Sequence, residues 1–194
     1  MIIIGVGANL PNPDFGPPRA TCGAALESLE KIGISIDKRS PWYKSEPVPV
    51  SQDPWYINGV VAVTTDLKPN DLLKQLLKIE KNLGRRRSRY SQSRTIDLDI
   101  IAYHDKVVKK KAGNELQLQI PHPRMHIRGF VLRPLADIYP NWVHPSLGET
   151  ATKLIDNLRD LTKITVIADA NGYLGTEWRM PRLPPIRKRE IDNF

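Results

Sequence analysis

Arg94-Thr95-Ile96-Asp97-Leu98-Asp99-Ile100-Ile101-Ala102-Tyr103 is the stretch on which the fold turns. It is rich in β-branched and apolar residues and predicts a strand, whose side chains alternate between two faces. Ile96, Leu98 and Ile100 then share one face, and Asp97 and Asp99 share the other with Ile101 and Tyr103. Desolvating two like charges on one buried face costs several kcal/mol. A divalent cation removes that cost, because Mg²⁺ takes hard oxygen ligands and commonly one or two carboxylates from a protein. Alone, the ten residues fit two readings: a metal site, or a solvated edge face with Arg94 paired to one acid.

Upstream, Arg85-Arg86-Arg87-Ser88-Arg89 forms a cationic loop able to hold polyphosphate. An acid pair followed from such a base cluster points to metal-assisted phosphoryl chemistry. The formal charge of +8 is otherwise gathered in Lys109-Lys110-Lys111 and Arg187-Lys188-Arg189, which read as a solvated loop and a flexible tail. The excess is not interleaved with aromatics as on a nucleic-acid-binding stripe, so it indicates an anionic ligand without naming it.

The 194 residues, 40% of them hydrophobic, suit one domain of ordinary size. No apolar run is long enough to span a bilayer, and Met1-Ile2-Ile3-Ile4-Gly5 lacks the basic flank of a secretory signal. Cys22, the one cysteine, excludes an internal disulfide and a cysteine-built zinc site, and fits a reducing cytoplasm.

Earlier in the chain, Ile2 to Val6 reads as a buried strand, and Gly7-Ala8-Asn9-Leu10-Pro11 ends it without GxGxxG or P-loop spacing. Ala24, Ala25, Leu26, Leu29 and Ile32 recur at helical spacing until Gly33; a second strand runs from Ile34 toward Tyr43. The proline-stiffened Lys44–Pro54 segment is longer than a hairpin needs, and such loops are usually functional. Trp55 to Val63 is the next strand, its aromatic opening and Asn58 suiting either ordinary packing or a flat ligand. Leu72, Leu73, Leu76, Leu77, Ile79 and Leu83 stripe a second helix closed by Gly84. The order β-α-β-β-α-β predicts an α+β, ferredoxin-like, mainly antiparallel sheet with helices on one face. Between Pro121 and Leu135 lie three arginines and two histidines, either a second phosphate-facing surface or a helix with outward arginines. Thr150 to Leu161 suggests a further helix, and from Thr165 the periodicity fades.

Five blocks occur together: Gly7-Ala8-Asn9-Leu10, Ser45-Glu46-Pro47-Val48, Tyr56-Ile57-Asn58, Arg94-Thr95-Ile96-Asp97-Leu98-Asp99, and Pro121-His122-Pro123-Arg124-Met125 with Arg128-Gly129-Phe130. In this order they resemble the 6-hydroxymethyl-7,8-dihydropterin pyrophosphokinase family of folate biosynthesis. The resemblance implies a pyrophosphokinase domain over residues 1–160, with 161–194 a partly flexible C-terminal extension. It implies ATP as substrate, with pyrophosphate moved to the pterin hydroxymethyl group and AMP released. Asp97 and Asp99 would hold two Mg²⁺ ions, and Arg85 and Arg87 would act on the transferring group. Arg94, His122, Arg128 and Glu80 would bind ATP. Ser45, Pro47, Val48, Tyr56, Asn58 and Phe130 would form the pterin pocket, Tyr56 and Phe130 stacking on the ring for ~0.5–1.5 kcal/mol per face. Many members carry Trp-Gly-Pro-Arg before the acid pair, where this chain has Tyr90-Ser91-Gln92-Ser93-Arg94. A cytoplasmic monomer with small-molecule partners, no nucleic acid and no membrane is expected. The alternatives are a basic RNA-binding module on a ferredoxin-like sheet, or a two-metal nuclease.

Overall fold

β1 (Ile2–Ala8) lies in the middle of an antiparallel sheet, between β4 (Tyr56–Thr64) and β5 (Asp97–Tyr103). In the computed structural model, residues 1–85, 93–109, 118–159 and 162–179 are described. Arg87, Tyr90, Lys110, Lys111 and the basic tail fall outside them. The other elements are α1 (Pro18–Lys31), β2 (Ser35–Arg39), β3 (Trp42–Ser45), α2 (Pro69–Asn82), α3 (Gly129–Ile138), α4 (Ala151–Asp156) and β6 (Ile164–Ile167). The strand order is β5-β1-β4-β3-β6, with β2 also paired to β4. The arrangement is the ferredoxin-like sheet the order of elements predicts.

Alternation along β1 builds two layers. Ile2, Ile4, Val6 and Ala8 pack with Leu26 and Leu29 of α1 and Leu72, Leu76 and Ile79 of α2. Ile3 points the other way and joins Val131, Leu132 and Leu135 of α3 and Leu154 of α4. Helices therefore cover both faces, where the sequence predicts one. The second layer comes from residues after β5, and the Tyr43 hydroxyl ties it to the sheet by donating to Asp137 on α3 at 2.6 Å. Each fully buried Leu or Ile contributes about 1.5–3 kcal/mol of transfer free energy.

Local signals set the helix limits. α1 and α2 both start on proline, whose missing N–H costs nothing at a helix N-terminus. Just past the end of α2 comes Gly84, with φ of +77°, and Arg85 N–H donates back to the Glu80 carbonyl at 2.9 Å. A glycine there admits the left-handed turn that returns Arg85 toward the helix.

Three details depart from the simple pattern. The expected strand through Tyr43 breaks at Ser40-Pro41 into β2 and β3, since proline has no N–H for the ladder. In β5, Ile4 pairs with Ile100 while Ile3 pairs with Ala102, so Ile101 is an extra residue. This bulge turns Tyr103 to the α2 side, where its hydroxyl donates to Leu67 O at 2.7 Å; Tyr103 does not share the face of the two acids. The third departure is at the C-terminal end. Ile164–Ile167 forms a strand on β3, and the chain then returns along α1, where the Trp178 indole N–H donates to Glu27 at 2.8 Å.

Candidate active site

The register of β1 determines what the second face of the sheet can hold. Asp97 pairs with Gly7 and Asp99 with Gly5, while Gly7 in turn pairs with Asn58 and Gly5 with Val60. Directly opposed residues project to the same face, so each acid looks across a glycine. Ile3 continues the apolar core at one end of that face; beyond it, Gly5 and Gly7 leave room. A Cβ at Gly7 would lie 3.1 Å from Asn58 Oδ1, and one at Gly5 3.0 Å from Ile101 Cδ1. With strands ~4.8 Å apart, Asp97 and Asn58 stand roughly 10 Å from each other on the floor of a cleft.

That cleft is a cavity of about 550 Å³, the size of a ligand pocket. It is lined by Glu80, Arg85, Arg94, Asp97, Asp99, His122 and Arg128, and by Ser45, Val48, Tyr56, Asn58 and Phe130. Residues from five separated blocks of sequence thus share one cavity. Pro47 is buried but does not reach the wall, and Arg87 is outside the described residues.

On the acidic side Asp97 is ion-paired with two guanidinium groups. Arg85 Nη1 is 2.8 Å from one carboxylate oxygen, and Arg94 Nη1 pairs with the other. Arg85 also pairs with Glu80, which is only 2% exposed and accepts a hydrogen bond from Leu98 N–H at 2.7 Å. Glu80 thereby holds the outer edge of β5 between the two acids. Burial raises its carboxyl to about 7, opposed by the Leu98 N–H and the Arg85 charge. Asp99 keeps 44% of its side chain open, and His122 Nε2 lies 3.9 Å from its carboxylate. Its pKa is raised to about 6, first by desolvation inside the cleft and then by the charge on Asp97.

His122 is held neutral. Burial, then Arg128 and Arg124, push its pKa down to about 4. Its Nδ1 accepts from Arg124 N–H at 3.2 Å, which assigns the proton to Nε2 and makes that nitrogen a donor facing Asp99 and the cavity. The Arg128 guanidinium carbon lies 5.4 Å from the Phe130 ring centroid, a cation–π contact linking the basic and aromatic parts of the wall.

At the other end, Asn58 Nδ2 donates to Ser45 Oγ at 2.8 Å, and both residues are buried. Tyr56 is half-buried, its phenol raised by desolvation and hydrogen-bonded with Arg94. Trp55 is not on the wall; Lys44 sits over its ring at 5.5 Å.

Two contributions were not assigned from sequence. Arg124 adds a fourth guanidinium to the wall. Asn9, 1% exposed, donates to Pro54 O at 3.0 Å and Ser93 Oγ at 3.1 Å, and accepts from Arg94 N–H at 2.7 Å. It thus ties the end of β1 to both segments flanking the cavity. The Gly7-Ala8-Asn9-Leu10 block marked its place, but its partners lie 45 to 85 residues away.

Among the described residues the wall carries Arg85, Arg94, Arg124 and Arg128 against Glu46, Glu80, Asp97 and Asp99. Counted as fully ionised these groups balance, so cations would add to the attraction that a polyphosphate meets there. Among the described residues no group of three or more His, Cys, Asp or Glu side chains is arranged to hold a metal. Two carboxylates two residues apart on one strand face nevertheless fit Mg²⁺, which keeps waters and takes the rest of its oxygens from phosphates.

An antiparallel α+β sandwich that sets two carboxylates and a bank of arginines beside a small amide-and-aromatic recess defines an enzyme of phosphate-group transfer. The model of the family described as 7,8-dihydro-6-hydroxymethylpterin-pyrophosphokinase (HPPK) matches residues 3–140, and the chain belongs to that family. It is 38% identical over 167 residues to the 2-amino-4-hydroxy-6-hydroxymethyldihydropteridine pyrophosphokinase of Synechocystis, covering 86% of this chain and 80% of that one. It is 41% identical over 134 residues to the Folic acid synthesis protein FOL1 of Dictyostelium discoideum, covering 69% of this chain but 20% of that much longer one. A crystal structure of a Plasmodium falciparum HPPK-DHPS triple mutant shares the fold with a TM-score of 0.63 at 16% identity, over 80% of this chain and 42% of that chain.

Proposed function

We propose that the chain transfers pyrophosphate from ATP to 6-hydroxymethyl-7,8-dihydropterin, giving AMP and the pterin diphosphate, as a step of folate biosynthesis. The observation that carries this reading is the row Asp97, Gly7, Asn58 across the cavity floor, an acid and an amide separated by a cleared strand. A flat heterocycle seated by Asn58, between Tyr56 and Phe130, would present its hydroxymethyl arm toward the acids and arginines. The hydroxyl oxygen bonds to the β-phosphorus, the bond from that phosphorus to the α-phosphate bridging oxygen breaks, and AMP leaves with the electron pair. The hydroxyl proton passes to water.

Asp97 and Asp99 would hold Mg²⁺, two ions in this reading, which supplies charge neutralisation along the triphosphate and acidifies the attacking hydroxyl. Arg85 and Arg94 are seated on Asp97, so they would stabilise the charge that builds on phosphate oxygens brought to that carboxylate. Arg128 and the Nε2–H of His122 would bind the triphosphate as well, with Arg87 as an added cation. Glu80 holds Arg85 and the β5 edge, so its part in ATP binding would be indirect. Ser45 orients Asn58, and Val48 and Pro47 would complete the pterin recess. No covalent intermediate is needed, since phosphoryl transfer asks chiefly for positioning and charge.

In this reading residues 1–160 carry the activity and 161–194 form an extension. The protein acts as a cytoplasmic monomer on two small molecules, without nucleic acid. The direct test is nucleotide release from ATP and Mg²⁺, with and without 6-hydroxymethyl-7,8-dihydropterin. AMP formed in step with the pterin diphosphate supports the assignment; formation of ADP, or AMP release indifferent to the pterin, overturns it.

A further inference from the structure

Glu46 is a cavity-lining carboxylate to which neither substrate assigns a role. It is also the residue at which β3 hands over to the long loop ending at Pro54. The β3–β6 ladder closes with Ser45 opposite Ile164, and Glu46 and Lys163 continue it by one step. Glu46 N–H donates to Lys163 O at 3.1 Å, Lys163 N–H donates to Glu46 Oε2 at 3.1 Å, and Lys163 Nζ lies 3.7 Å from Glu46 Oε1. The bracket is largely backbone-built from the lysine side, because the Lys163 side chain is 75% exposed while that of Glu46 is 16% exposed. At its other end the loop is fixed by the bond from Asn9 to Pro54 O. Between these anchors Val48 lies on the cavity wall although it is 48% exposed. Lys163 lies beyond the residues matched by the family model.

We propose that Glu46, clasped by Lys163, is a positioning residue: it fixes where the loop leaves β3 and so holds Ser45 and Val48 against the Asn58 end of the cavity. This rests on that end being the pterin site. Its consequence is selective, because Glu46 is anchored to the C-terminal strand while Asp97, Asp99 and the arginines are anchored elsewhere. Losing the carboxylate loosens the pterin wall and leaves the triphosphate wall as it was.

The test is steady-state kinetics on Glu46→Ala, Glu46→Gln, Lys163→Pro and the Glu46→Ala/Lys163→Pro double variant of the full chain. Glu46→Ala is expected to raise KM for the pterin about tenfold, with kcat and KM for ATP within twofold of wild type. Glu46→Gln keeps an oxygen acceptor for Lys163 N–H and stays within threefold on every constant. Lys163→Pro removes the donor and reproduces the Glu46→Ala effect, and the double variant is no worse than either single, the signature of one shared contact. Amide exchange of residues 47–53 without substrates should rise in Glu46→Ala while that of α2 does not. An unchanged pterin KM, a parallel rise in both KM values, or additive effects in the double variant would overturn the proposal. Should Lys163→Pro fail to fold, the Glu46→Ala and Glu46→Gln pair decides alone. A wild-type protein that releases no AMP would instead refute the assignment of the reaction.

Discussion

Asp97 of β5 lies directly opposite Gly7 of β1, so the acid most heavily engaged by arginines faces an open strip of sheet and not another side chain. The same strip ends at Asn58. One register therefore joins the charged and neutral halves of the cavity, and a slip of a single residue would send both acids into the opposite core.

Filling the strip should impair the neutral half first. In Gly7→Ala the new methyl meets Asn58 Oδ1 at 3.1 Å, and the Asn58 amide is held in place by its bond to Ser45. The expected outcome is a rise of at least tenfold in KM for the pterin, with a melting temperature within a few degrees of wild type. An unchanged pterin KM would show that Asn58 does not set the ligand's edge.

Removing either acid should abolish turnover and spare the fold. Asp97→Ala and Asp99→Ala are each expected to lower kcat at least 10²–10³-fold, the scale of losing a principal electrostatic stabiliser. Circular dichroism should report native secondary structure in both. A variant turning over near the wild-type rate would remove the metal-ligand role from that residue.

His122 should act as a neutral donor. With its pKa lowered to about 4, the imidazole is uncharged from pH 5.5 to 9, and no step in kcat/KM near pH 6.5 should belong to it. NMR titration of the ring checks the ionisation directly. His122→Gln, which retains an N–H donor, should keep more activity than His122→Ala; equal loss in both would deny the hydrogen bond its part.

Metal-free stability should carry the mark of Glu80. Its carboxyl rises from an ordinary 4.5 to about 7 in the folded protein, so the native state holds the proton more tightly than the unfolded chain. The resulting stabilisation is complete below about pH 4.5 and is lost as pH climbs through 7. Asp99, raised to about 6, adds in the same direction. Melts in EDTA should therefore show wild type losing stability relative to Glu80→Gln between pH 4.5 and 7. A difference that is flat with pH, or of the opposite slope, would contradict the burial of this carboxyl.

Much of this was legible in the sequence because periodicity survives folding. The Leu72, Leu76 and Ile79 stripe specifies the buried side of α2, and the alternation in Ile96–Ile100 sends the two acids to one face. What escaped depends on partners far along the chain. The Ile101 bulge has no local signal, since apolar residues are buried on both faces of β5 and either register satisfies them. Helix α3 carries Val131, Leu132 and Leu135 at helical spacing, but its neighbouring arginines suit either a phosphate surface or solvent, and only the sheet's second face decides between them. The two readings of Arg94 turn out to be compatible: it pairs with Asp97 and it lines the cavity. β6 did leave a signal in four successive β-branched residues, Ile164 to Ile167, while its hold on Glu46 spans 117 residues and is invisible to any local pattern.

The central claim is that Asp97 and Asp99 receive cations together with the nucleotide. Crystals grown with Mn²⁺ and a non-hydrolysable ATP analogue, measured at the manganese absorption edge, test it most directly. Anomalous density at both carboxylates, bridged to phosphate oxygens, is the predicted result. Density absent from the cleft, with Asp97 still paired only to Arg85 and Arg94 beside the bound analogue, would contradict it.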